Sequence, residues 1–126
     1  MSKNKFYVCK HCGNLIGMIH DAGVPVICCG EKMHALVPNT VEASGEKHIP
    51  VVRVEGDKVV VDVGSVAHPM AQEHFIQWIQ LVTDNGSQRQ ILTPGQAPQV
   101  TFLLGQAKPL AVYAYCNLHG LWMTEI

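Results

Sequence analysis

The chain has 126 residues, 48% of them hydrophobic and 15% charged, against a charged share of about 25% in ordinary soluble domains. That length is one domain or two small ones, and so much apolar surface with so little charge excludes a disordered chain. Nine Lys and Arg against ten Asp and Glu leave a net charge of -1. The positive blanket that drives binding to a phosphate backbone is missing, and no nucleic acid is expected as a partner.

The first residues, Met1 to Cys9, hold no apolar run of signal-peptide length. The longest such run, Leu110 to Cys116, falls far short of the ~20 residues of a membrane helix. A cytoplasmic location without a membrane partner is expected, in a reducing compartment where cysteine serves something other than disulfides.

Four of the five cysteines, Cys9, Cys12, Cys28 and Cys29, lie among Gly13, Gly17, Gly23, Pro25 and Gly30. Glycine and proline at this density allow no long helix or strand, only a turn-rich knot. An apolar core alone cannot hold a segment of that size, so a metal or disulfides must. Cys9-x-x-Cys12 is a knuckle whose spacer turns both thiolates toward one ion, and Cys28-Cys29 follows after a gap of fifteen residues. Neighbouring side chains point to opposite sides of an extended backbone, so this pair reaches one ion only through a local kink. Four thiolates suit zinc or a single iron equally. His11, His20 and His34 read as bystanders, with His11 pointing outward from the knuckle spacer.

Val37 to Glu46 reads as a connector of turn formers, which divides the chain into a domain of residues 1–38 and one of 39–126. Beyond it, short β-branched and aromatic runs alternate with turn signals, as in an antiparallel sandwich. Val51 to Val54 and Lys58 to Val63 flank the hairpin signal Glu55-Gly56-Asp57. Phe75 to Val82 also fits a helix period, but Asp84-Asn85-Gly86 follows directly. Because Asn-Gly is a strong hairpin turn, we read a strand that leads into Gln88 to Leu92. Gln99 to Leu104, Leu110 to Tyr115 and Trp122 to Ile126 complete the expected set.

The remaining cysteine, Cys116, shares this second region with His48, His68, His74 and His119. Cys116-Asn-Leu-His119 puts a thiolate and an imidazole three positions apart on one loop, and Pro69 forces His68 into an extended conformation. One histidine alone is an ordinary polar residue, whereas four beside an unpaired cysteine form a metal-ligand constellation.

Together, Cys9-x-x-Cys12 with Cys28-Cys29, Glu46-Lys47-His48-Ile49-Pro50, His68-Pro69-Met70-x-x-Glu73-His74 and Cys116-Asn-x-His119-Gly120 resemble the desulfoferrodoxins, the two-iron superoxide reductases. The resemblance covers nearly the whole chain, and its specific parts are the adjacent cysteines and the Glu-Lys-His-x-Pro string. It implies an all-β fold, a desulforedoxin-like metal domain followed by an immunoglobulin-like antiparallel sandwich. It further implies one iron on Cys9, Cys12, Cys28 and Cys29, and a second on His48, His68, His74 and His119 in a plane with Cys116 as axial ligand. Five protein ligands leave one open position on a metal that takes six. The implied activity is reduction of superoxide to hydrogen peroxide without oxygen evolution, with re-reduction by rubredoxin or a similar small donor, in a homodimer. In that setting the Lys47 ammonium attracts the anionic substrate, and Glu46 can occupy the sixth position of the oxidised ion. A cupredoxin-like or rubredoxin-like electron carrier is the alternative reading, since Cys116-x-x-His119 followed by Met123 resembles a copper loop.

Overall fold

The structure, a computed structural model, describes residues 4–126; the first three residues of the expected 1–38 domain lie outside them. The described residues divide into two compact units, 4–37 and Pro38–Ile126.

In the first unit, β1 (Lys5–Val8) lies between β2 (Leu15–Met18) and β5 (His34–Ala35), all antiparallel, and β3 (Ile27–Cys28) pairs with β4 (Glu31–Lys32) as a separate short hairpin. No strand exceeds four residues, in keeping with the glycine and proline content. Its buried apolar side chains are Phe6, Cys9 and Met33. Three side chains bury too little surface to offset the ordering of such a segment, so the cysteines must carry its stability.

The second unit opens with α1 (Gly45–His48), one turn of helix within what the sequence presents as a connector, and continues as seven strands. These are β6 (Pro50–Glu55), β7 (Lys58–Val63), β8 (Ile76–Thr83), β9 (Gly86–Ile91), β10 (Gln99–Leu103), β11 (Pro109–Cys116) and β12 (Gly120–Glu125). They form two antiparallel sheets, ordered β10-β7-β6 and β12-β11-β8-β9. Alternate residues of each sheet meet between them: Val59, Val61, Val63, Val100 and Phe102 from one, Ile79, Leu81, Val112, Ala114 and Cys116 from the other. This is the expected sandwich, with a core made by period-two patterning. The helical periodicity of Phe75 to Val82 has a simple origin. Trp78 and Val82 are buried on one face of β8 and Ile79 and Leu81 on the other, so the strand carries a nearly continuous apolar run instead of a clean alternation.

One register differs from expectation. Thr83 pairs with Gly86, so the two-residue turn is Asp84-Asn85, and β9 starts at Gly86 instead of Gln88. Side chains fix this: Thr83 Oγ1 donates to Asn85 Oδ1 at 2.9 Å, and Asp84 Oδ1 accepts the Lys108 N–H at 3.0 Å. Among the described residues no helix is long and apolar enough to cross a membrane.

Candidate metal centres

The first centre is built by turns. Gly13 N–H donates to Cys9 O and Cys9 N–H to Asn14 O, both at 2.8 Å, closing the knuckle that carries Cys9 and Cys12. Cys28 ends β3, and Cys29 has φ +52°, which supplies the kink that adjacent cysteines need in order to face one point. The four thiols lie within 4.8 Å of one another, with Cys12 Sγ 3.6 Å from Cys28 Sγ. Cys9 is buried, while Cys12 and Cys29 are exposed. Backbone N–H groups, that of Cys12 first, push Cys9 down to about 6, whereas the neighbouring thiols, Cys12 first, push Cys29 up to about 12. Negative charge on one sulfur opposes ionisation of the next. A full set of thiolates therefore forms only when a cation compensates it. His11 is exposed and pairs with Glu31 at 2.9 Å.

The second centre is assembled from four separate stretches of the sandwich unit. His48 ends α1, His68 and His74 lie in the loop between β7 and β8, Cys116 ends β11, and His119 sits in the turn before β12. Donor atoms of His48, His68, His74 and Cys116 all fall within 4.8 Å of one another. His119 stands outside that four-member set by the same measure, but its Nδ1 is 3.1 Å from His48 Nε2 and 3.9 Å from Cys116 Sγ.

The four imidazoles form a closed ring in the order 48, 68, 74, 119, with successive centroids 4.6, 4.7, 5.1 and 5.0 Å apart. Each is nearly perpendicular to its neighbours, at 79–83°. His48 and His74 face each other across the ring at 6.3 Å. Cys116 Sγ accepts the His119 backbone N–H at 3.4 Å. Burial raises the Cys116 thiol, against the lowering effect of the His119 and Leu118 N–H groups. Burial also lowers His48, and His68 falls to about 4.

Hydrogen bonding decides the tautomers. His48 Nδ1 lies 2.6 Å from Ser44 O, and His68 Nδ1 lies 2.6 Å from Pro69 O. A carbonyl only accepts, so each Nδ1 carries the proton and each Nε2 presents a bare lone pair. Yet the two Nε2 atoms are 3.1 Å apart. Two acceptors cannot bond to each other, and burial disfavours a protonated ring between them. His74 Nε2 is buried with no partner at all. The facing lone pairs of His48 and His68, the unpartnered His74 Nε2 and the buried thiol are a donor set that fits a cation, and nitrogen with one soft sulfur suits a transition metal such as iron.

Glu46 and Lys47 occupy the turn that carries His48, and both are exposed. That turn is seated on Gly64. A Cβ there would meet Glu46 O at 2.6 Å and Ile49 O at 2.9 Å, both backbone atoms that cannot swing aside. Val66 N–H and Ser65 Oγ then donate to Glu46 O at 2.9 and 3.2 Å. Trp122 Nε1 donates to His119 O at 3.2 Å, and its ring lies 4.8 Å from that of His48. Neither Gly64 nor Trp122 was identifiable from the sequence. An isolated glycine between two strands reads as a turn, and a tryptophan on a β-rich segment reads as core.

The comparisons with known proteins agree with this geometry. The family model for Desulfoferrodoxin matches residues 40–125. The chain belongs to the desulfoferrodoxin family. It is 47% identical to the desulfoferrodoxin of Syntrophotalea carbinolica, covering 98% of this chain and 97% of that one. It is 42% identical to that of Nitratidesulfovibrio vulgaris, over 96% and 95% of the two chains. Among solved structures, the superoxide reductase from Treponema pallidum superposes with a TM-score of 0.82 at 44% identity, covering 98% of this chain and 100% of that one. The two donor groups correspond to the two iron centres of desulfoferrodoxin.

Proposed function

We propose that this desulfoferrodoxin is a superoxide reductase whose chemistry takes place at the histidine and cysteine centre of the 39–126 domain, with the 1–38 domain holding a separate four-thiolate centre. The observation that carries the reading is the gathering of imidazole nitrogens without proton donors within 4.8 Å of one another and of a buried thiol. His48, His68, His74, His119 and Cys116 would hold the ion of the second centre, and Cys9, Cys12, Cys28 and Cys29 that of the first. Bound ferrous iron supplies the single electron that, with two protons, converts superoxide to hydrogen peroxide; no oxygen is released.

The protein's own residues prepare that exchange. Carbonyls at Ser44 and Pro69 hold two rings in the ligating tautomer, so no proton has to leave them before binding. The Lys47 ammonium, exposed beside His48, draws the anionic substrate toward the ring of imidazoles. Glu46, one residue further back, supplies a carboxylate that would be available as a further ligand to the oxidised ion. A small redox protein of the rubredoxin type returns the electron. Exposed apolar side chains at Ile49, Val66 and Leu118, next in sequence or hydrogen bonding to the site residues, give it a surface to meet. In the first unit, Ile19, Val24 and Ile27 are exposed and support pairing of two copies. We place the protein in the cytoplasm, where its thiols stay reduced.

The test is metal quantitation on anaerobically purified protein, followed by reaction with superoxide while hydrogen peroxide and oxygen are both recorded. Two irons per chain with peroxide and no oxygen are expected. One copper per chain, or oxygen evolution, overturns the proposal, the former in favour of an electron carrier.

A further inference from the structure

Asn117 directly follows Cys116 and takes no part in the donor set. Its side-chain Oδ1 accepts the Phe75 N–H at 2.9 Å, and its Nδ2 donates to Glu73 O at 3.0 Å. Its own N–H donates to Phe75 O at 3.2 Å. Glu73 and Phe75 are the two neighbours of His74. One side-chain amide thus grips the backbone on both sides of a single histidine, and both of its polar ends are used for that purpose. The peptide of His74 is held from the opposite direction by Ala71, whose N–H donates to His74 O at 3.0 Å and whose O accepts the His74 N–H at 3.1 Å.

The histidine so gripped differs from its neighbours. His48 and His68 are set by carbonyls 2.6 Å from their ring Nδ1 atoms, whereas the His74 ring ends in a buried Nε2 with no partner. We propose that Asn117 is the positioning residue for His74: it ties the backbone around that histidine to the residue after Cys116, so that imidazole and thiol are presented to the same ion. This rests on the metal-centre reading above, and it makes Cys116 and His74 one mechanical unit although 42 residues separate them.

The experiment uses the full chain stripped of metal, with cobalt(II) alone as probe, because its visible bands separate an all-thiolate site from one of nitrogen donors and a single thiolate. In Asn117→Ala, affinity at the histidine and cysteine site should fall about 10–100-fold, the range for losing a partner that orients a ligand. The four-thiolate site of the same molecules should be unchanged, and the Phe75 amide should lose its protection from hydrogen exchange. Asn117→Asp keeps the acceptor for Phe75 but sets an oxygen against Glu73 O, so it should weaken cobalt binding while retaining Phe75 protection. Unchanged affinity in a folded Asn117→Ala, or equal losses at both sites, overturns the proposal. If neither variant folds, the metal-free wild type decides: slow exchange of the Asn117 side-chain amide protons supports the grip, and free exchange overturns it. Since cobalt affinity does not depend on the substrate, a chain that fails to reduce superoxide yet shows these losses refutes the functional reading and supports the role of Asn117.

Discussion

The two centres solve the same problem, gathering soft and nitrogen donors around one ion, in opposite ways. The four-thiolate centre is local. Its ligands come from two tight turns in a unit whose buried apolar residues are Phe6, Cys9 and Met33, and two of its four sulfurs are exposed. The histidine and cysteine centre is tertiary. Its ligands hang from the ends of core elements, with His48, His68 and Cys116 buried. In the first, the ion holds the polypeptide together. In the second, the polypeptide core stands by itself and holds the donors ready for the ion. The proton balance differs too: neighbouring thiols keep Cys28 and Cys29 of the first centre protonated until a cation arrives, whereas burial already keeps His48 and His68 of the second neutral.

The largest effect that tests this contrast is removal of one thiolate. In Cys12→Ser the first centre should lose its metal and its unit should lose hydrogen-exchange protection throughout, since binding and folding are there one process. Iron at the second centre should remain. Loss of both irons would mean that the two centres are not independent.

Next in size is Gly64→Ala. A methyl placed 2.6 Å from Glu46 O must push the α1 turn off its seat, with a cost in the range of about 1–3 kcal/mol for overpacking. Thermal unfolding of the sandwich unit should shift down, and the reaction with superoxide should slow because His48 and Lys47 move with the turn. An unshifted transition would show that the turn yields freely and that its seat positions nothing.

A smaller change is expected for Lys47→Ala, an exposed charge. The bimolecular rate with superoxide should fall by about 10-fold or less at low ionic strength, and its salt dependence should flatten, because screening acts on the same interaction. Equal rates at low salt would remove the steering role. The thermal transition should stay where it is, in contrast to Gly64→Ala.

The mildest expectation is a pH effect on the metal-free protein. His68 is held down to about 4 by burial, while an unfolded histidine titrates near pH 6.5. Between these values the unfolded chain binds the proton and the folded chain does not, so stability falls as pH drops from about 6.5 toward 4 and is constant above. Denaturant midpoints across that range should decline with acidity, and iron loading should keep the decline and extend it below pH 4, since a metal-bound ring takes up no proton. A flat profile would mean that His68 is not buried as a neutral imidazole.

Much of this was legible in the sequence. β-branched and aromatic runs between turn signals in Lys58 to Val63 and Gln99 to Leu104 mark two core strands, and the spacing of Cys9, Cys12, Cys28 and Cys29 marks a thiolate site, because both signals depend on neighbours along the chain. The start of β9 was misplaced because the Asp84 and Thr83 side chains, and not the Asn-Gly preference alone, choose the turn. The single turn of α1 was hidden because its residues carry no apolar period; it is held by Gly64, Ser65 and Val66, which lie beyond the next hairpin.

Residue types and local spacing by themselves determined that this chain is β-rich, binds metal through cysteine near its start, and carries four histidines and a thiol available for a second ion. Only the tertiary structure decided that those imidazoles close into a ring, which of their nitrogens lack protons, and that Asn117, Gly64 and Trp122 hold them there. The reason is physical. A turn brings together residues a few positions apart at little entropic cost, but donors from residues 48 to 119 meet only when the two sheets have buried their apolar faces against each other.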